Sequence, residues 1–86
     1  MSELTTLPNI AAKLDAQLAQ VGITTIGELR AAGSREAWLR LLARDPSACL
    51  LRLCALEGAL QGVRWHVLDD DTKSALRAFY HQHKGN

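Results

Sequence analysis

The sequence contains no long apolar run, no surplus of either charge and only two cysteines. No segment approaches the roughly 20 apolar residues of a bilayer-spanning helix. The amino terminus, Met-Ser-Glu-Leu-Thr-Thr-Leu-Pro, lacks the basic region followed by an apolar stretch that marks an export signal. Together these absences predict a cytoplasmic protein without a membrane partner. The formal net charge of +1 lacks the basic excess of a dedicated nucleic-acid binder, and no acidic tail or polybasic block concentrates it. Any contact with nucleic acid is therefore expected to be local. Cys49 and Cys54 fall in a segment read as one helix, where their spacing sets them about 140° apart around the axis. They cannot bridge each other there, and both read as small packing residues in reduced form. No metal, redox or cofactor role is assigned to them.

Also missing are low-complexity segments, internal repeats, long linkers and any alternating strand pattern. The 86 residues are read as a single domain, residues 1–86, with one modest core and no room for a substrate-enclosing cleft of ordinary enzyme size. The expected fold class is all-α, a compact domain of five helices. Asn9 is a cap candidate for the first helix, which carries Ile10, Leu14, Leu18 and Val21 and stops at Gly22. Thr25 and Glu28 form a Thr-x-x-Glu capping box for a short second helix that turns Ile26 and Leu29 inward and ends at Gly33. Ser34 is expected to cap a third helix, Arg35 to Arg44, with Trp38, Leu41 and Leu42 as its core stripe. After Asp45-Pro46, Ser47 is expected to cap the fourth. Asp69 caps the fifth, with Leu76, Phe79 and Tyr80 facing inward, and His81 to Asn86 form a fraying polar tail.

The fourth helix carries the most information. Its leucines and alanines leave little polar surface, so it belongs in the centre of the bundle or at a subunit interface, and a homodimer is one expected way to cover it. Within it, Gly58 costs about 1 kcal/mol relative to alanine, which implies close approach by another helix. Glu57 beside it has three readings: an ion pair with an arginine such as Arg64, a cap on amides of the following connection, or a general base. No Ser-His-Asp, Cys-His or paired-carboxylate arrangement surrounds it, so structural or interface use is preferred to catalysis. Trp65 and Trp38 read as core or interface anchors rather than base-stacking platforms. His81 and His83, two apart, would point to nearly opposite sides of a helix, and no structural metal is expected.

Lys13, Arg40, Arg44, Arg52, Arg64 and Arg77 are the candidates for a cationic surface. Arg40 and Arg44 share a face by their spacing, although Glu36, one turn before Arg40, also suits an ordinary solvated face.

Two stretches resemble the carboxy-terminal domain of the TfoX/Sxy family, bacterial proteins associated with regulation of natural competence. One is Leu7-Pro8-Asn9-Ile10 with Gly22-Ile23-Thr24-Thr25-Ile26-Gly27-Glu28-Leu29 and Gly33. The other is Leu56-Glu57-Gly58-Ala59-Leu60-Gln61-Gly62 with Trp65, Leu68 and Leu76. Full-length members carry a separate amino-terminal domain, so this chain is expected to be a stand-alone copy of the carboxy-terminal one. The resemblance implies a fold related to helix-hairpin-helix (SAM-like) domains and a role in transcription regulation through DNA or a DNA-bound activator. In helix-hairpin-helix motifs a Gly-apolar-Gly hairpin presents backbone amides to a phosphate. The corresponding tripeptide is Asn9-Ile10-Ala11, with both glycines replaced, which favours a structural helix start over phosphate binding.

The resulting expectation is a small non-enzymatic regulatory module that binds a protein partner or a DNA-bound complex. Glu57, Gly58, Arg64 and Trp65 are its structural or interface residues. The alternative is a weak, sequence-tolerant DNA-binding domain using Asn9, Ala11, Lys13, Arg40 and Arg44.

Overall fold

Helices begin where side-chain oxygens meet backbone amides left without an intrahelical partner. In the computed structural model, which describes residues 2–84, the Glu28 amide donates to the Thr25 hydroxyl at 3.0 Å. The Thr25 amide donates to the Glu28 carboxylate at 3.2 Å, completing the expected box. The Thr72 amide likewise donates to Asp69 at 2.7 Å at the start of the last helix. The elements run in order as a 3-10 turn (Glu3–Thr6), α1 (Ala12–Gln20), α2 (Ile26–Arg44), α3 (Leu50–Gln61), a second 3-10 turn (Trp65–Val67) and α4 (Asp70–Lys84). The first turn has no counterpart in the sequence expectations, yet its Leu4 is fully buried.

Among the described residues the fold is all-α, with four α-helices where five were expected. The expected second and third helices form the single element α2, bent at Gly33, whose φ of 81° and ψ of 165° lie outside the helical region. Glycine takes that φ without a β-carbon clash, so the chain changes direction over one residue and resumes as helix without a connecting loop.

Three expected caps have other roles because better partners lie elsewhere. Ser34 is buried, and its hydroxyl donates to Glu57 Oε1 at 2.6 Å. The Ser47 amide and hydroxyl both donate to Asp45, at 3.0 and 2.6 Å, and α3 starts after Cys49 instead. Asn9 is turned into the fold, and α1 starts after Ala11. The expected polar tail is helical through Lys84, whose ammonium donates to the Ala48 carbonyl at 3.1 Å. The remainder of that expectation, residues 85 and 86, lies outside the described residues.

The apolar stripes converge on α3, which occupies the centre as expected, with Leu53, Leu56 and Ala59 buried. α2 supplies Leu29, Ala37, Trp38 and Leu41, and α4 supplies Leu76. Trp38 is fully buried, satisfies its indole N–H on the Cys49 carbonyl at 3.1 Å, and packs its ring against Tyr80 and Phe79 of α4. The close neighbour implied by Gly58 is not another helix. A β-carbon there would lie 2.6 Å from Asn9 Nδ2, 2.8 Å from the Val63 carbonyl oxygen and 3.2 Å from Trp65 Cα. The missing side chain makes room for the segment ahead of α1 and for the connection after α3.

Candidate functional site: an apolar face flanked by cations

Asn9 sets the geometry of this face. Its φ of 70° is the one positive value among the described non-glycine residues, a conformation that asparagine tolerates better than most. Its side-chain amide donates to the Ala55 carbonyl at 3.2 Å and the Val63 carbonyl at 2.9 Å, while its oxygen accepts from the Trp65 amide at 3.1 Å. One short side chain thus joins the start of α1 to the middle of α3 and to the turn that presents Trp65.

Two concavities flank this junction. The first, a groove of about 320 Å³, lies between α3 and α4 and is lined by Leu50, Leu51, Cys54, Trp65, Lys73 and Arg77. The second, about 290 Å³, lies between the starts of α1 and α3 and includes Asn9, Ala11, Lys13, Leu51 and Arg52 in its wall. Leu51 lines both and is half exposed, at 50%. Among the described residues no carboxylate lines either concavity. Lys73 is fixed by donating to the His66 carbonyl at 2.9 Å. Burial pushes the Cys54 thiol above its ordinary value, against the opposing pull of the Arg77 and Lys73 charges. That thiol is accordingly protonated and a poor nucleophile near neutrality.

A smaller hollow of about 120 Å³ adjoins the second concavity and is lined by Gln17, Gln20, Leu41, Arg44, Asp45 and Arg52. Gln17 and Arg52 line both of these sites, so Lys13, Arg52 and Arg44 follow one continuous surface. Arg52 pairs with Asp45 at 3.3 Å. Two hydrogen bonds from Ser47, with Arg52 adding its charge, hold the Asp45 carboxyl at about 2.

The residues expected to contact nucleic acid fall in different settings. Ala11 and Lys13 are exposed, and Asn9 directs its amide inward. Arg44 lies in the adjoining hollow, whereas Arg40 is held by Glu36 at 2.9 Å. Among the described residues Glu57 forms neither an ion pair with Arg64 nor a cap on the following connection: its carboxylate accepts from Ser34 and, at 2.7 Å, from Gln61. Arg64 is exposed and precedes the second 3-10 turn. Trp65 is partly exposed, at 37%, on the groove wall, while Trp38 is the core anchor. Leu51 and Lys73 carried no sequence-level assignment. The signal for Leu51 was a helix with more apolar residues than one buried face can absorb; none marked Lys73.

A family model for the TfoX C-terminal domain matches residues 1–80. Two crystal structures of Listeria monocytogenes proteins share this fold. An uncharacterized protein in a triclinic form is 46% identical, with a TM-score of 0.94 over 96% of this chain and 94% of its own. A protein of unknown function in a tetragonal form is 46% identical, with a TM-score of 0.90 over 93% of this chain and 98% of its own. Comparison with curated proteins gives no match.

Proposed function

Taking as premise that this chain belongs to the TfoX C-terminal domain family, we propose that it is a non-enzymatic regulatory module that binds a protein partner or a DNA-bound complex. The observation that carries this reading is the half-exposed Leu51 at the meeting point of two concavities that no carboxylate among the described residues lines. An exposed leucine alone is ordinary, but one continuous with Leu50, Cys54 and Trp65 and flanked by cations has the composition of a contact surface. The Glu57 carboxylate, the one candidate base, already accepts hydrogen bonds from Ser34 and Gln61. No helix among the described residues is long and apolar enough to cross a membrane.

The test is a photo-crosslinking amino acid placed at Leu51 in cells, with the same group at exposed Arg30, which lines neither concavity, as the control. Discrete adducts from position 51 and none from position 30 are expected. Equal or absent adducts at the two positions would overturn the assignment.

The course of Lys13, Arg52 and Arg44 along one surface favours a second reading, weak and sequence-tolerant DNA binding. α1 and α3 both start without a side-chain cap beside Lys13 and Arg52, leaving amides free for phosphate. Anisotropy of labelled duplex DNA would then show saturable binding that weakens steeply between low and near-physiological salt and is lost in the Lys13→Ala/Arg44→Ala variant. No binding at either salt removes this reading.

A further inference from the structure

We infer that the Leu51–Trp65 face is a docking groove for an amphipathic protein segment that carries carboxylates beside large apolar side chains. This inference rests on the interaction-module reading and adds the chemistry of the partner. The α3–α4 groove is lined by the apolar Leu50, Leu51, Cys54 and Trp65 together with Lys73 and Arg77 of α4. Across Leu51, Lys13 and Arg52 border the neighbouring concavity. The pattern is an apolar ridge with cations on both flanks, and the complementary ligand is an apolar stripe with anions on both flanks. A helix with large apolar residues at i, i+4 and i+7 and acids between them has that distribution, as in the helix-in-groove mode of peptide recognition.

Charge decides against a second copy of the chain. A second copy docking through the same face would bring the cationic flanks of both copies, with Lys73, Arg77, Lys13 and Arg52 on each, into one contact, because a two-fold interface uses the same patch twice. Such like-charge juxtaposition disfavours wrong partners. Arg77 forms no ion pair among the described residues, where the pairs are Arg40 with Glu36 and Arg52 with Asp45. Its charge is thus available to an incoming carboxylate. Nucleic acid fits this groove poorly, because leucine side chains hydrogen-bond to neither bases nor sugars. The Trp65 ring already meets His66 edge-on, with centroids 5.6 Å apart and planes at 83°.

The experiment is selection of a displayed library of random 16-residue peptides against the intact chain, followed by titration of enriched peptides into the Leu51→Ala and Arg77→Glu variants. Both substitutions lie at exposed positions, and circular dichroism melts verify that each variant folds. Enriched sequences rich in Asp and Glu, with Leu, Ile, Phe or Trp at helical spacing, are expected. Their affinity should fall at least tenfold in each variant, and lysine-for-acid versions should regain affinity for Arg77→Glu. Enrichment that depends on Leu51 but shows no acidic excess would overturn the acidic assignment and leave the interaction module standing. Enrichment indifferent to Leu51, or none at all, would overturn the docking groove. Retention of a random single-stranded DNA pool through Leu51 and Arg77 would reassign the face to nucleic acid.

Discussion

The side-chain amide nitrogen of Asn9 occupies the space a β-carbon on Gly58 would need, only 2.6 Å from its ideal position. The two residues are 49 positions apart in the chain, yet each explains the other. Gly58 has no side chain because Asn9 must reach the carbonyls of Ala55 and Val63 past it, and Asn9 adopts a left-handed backbone in the position that allows this reach.

Gly58→Ala therefore tests packing against helix propensity. In an open helix this change gains about 1 kcal/mol. Here the added methyl meets the Val63 carbonyl at 2.8 Å and Trp65 Cα at 3.2 Å, backbone atoms that cannot rotate away. Overpacking of this kind costs about 1–3 kcal/mol. A net loss of stability in urea unfolding is expected, and a gain would contradict the close approach.

Asn9→Ala removes three hydrogen bonds and leaves a β-carbon at positive φ. At about 0.5–1.5 kcal/mol per bond plus backbone strain, the loss should be about 2–5 kcal/mol. Asn9→Gly loses the same bonds without the strain and should fall between wild type and Asn9→Ala. If the two variants are equally stable by denaturant unfolding, the strain contributes nothing.

Ser34→Ala leaves Glu57 without its hydroxyl donor at the bend of α2, while Gln61 remains on the other oxygen. The expected cost is about 1–2 kcal/mol. Glu57→Gln retains an oxygen that can accept from Ser34 and should cost less. Equal losses in thermal unfolding would show that the charge, rather than the hydrogen bond, holds the bend.

Asp45 gives the fold an acid limb. Its carboxyl is lowered from an ordinary 3.8 to about 2 by Ser47 and Arg52. A group lowered on folding contributes stability above its unfolded value, and that contribution is lost as pH falls through the folded one. Between 3.8 and about 2, the melting temperature of Asp45→Asn should therefore fall less steeply than that of the wild type. Carbon-13 NMR of the Asp45 carboxyl should report a midpoint near the lower value. Glu28 and Asp69 are also lowered, by hydrogen bonds from Thr24 and Thr72 first of all, so the variant should retain part of the acid sensitivity.

Local interactions made much of the fold legible in the sequence. The Thr25–Glu28 box spans three residues and the Asp69–Thr72 bond another three, so their geometry follows from spacing alone. The apolar stripe of α3 announced its central position in the same way, and the burial of Trp38 and Leu41 followed from one face of α2. The helix count came out at four because a single glycine supplies a change of direction that would otherwise take a loop, and spacing does not distinguish the two. The surplus leucine in α3 announced some apolar exposure without identifying Leu51 as its site.

Tertiary structure decided the choice between a local and a distant partner for Asn9 and Ser34, whereas Ser47 exchanged one local role for another. Asn9, Ser34 and Ser47 are all competent helix caps, and each forms its bonds elsewhere. Asn9 bonds across to α3 and the turn after it, Ser34 to Glu57, and Ser47 to Asp45 two residues before it. A polar side chain reaching a buried interface satisfies groups that would otherwise lose their water, a larger penalty than leaving a solvated helix end uncapped. The convergence of Lys13, Arg52, Lys73 and Arg77 on the two sides of Leu51 was equally beyond the sequence. The class of the fold and the residues that fill its core are properties of the chain read locally. Which side chains meet at its surface depends on how the helices pack, because that packing sets the distances between residues far apart in sequence.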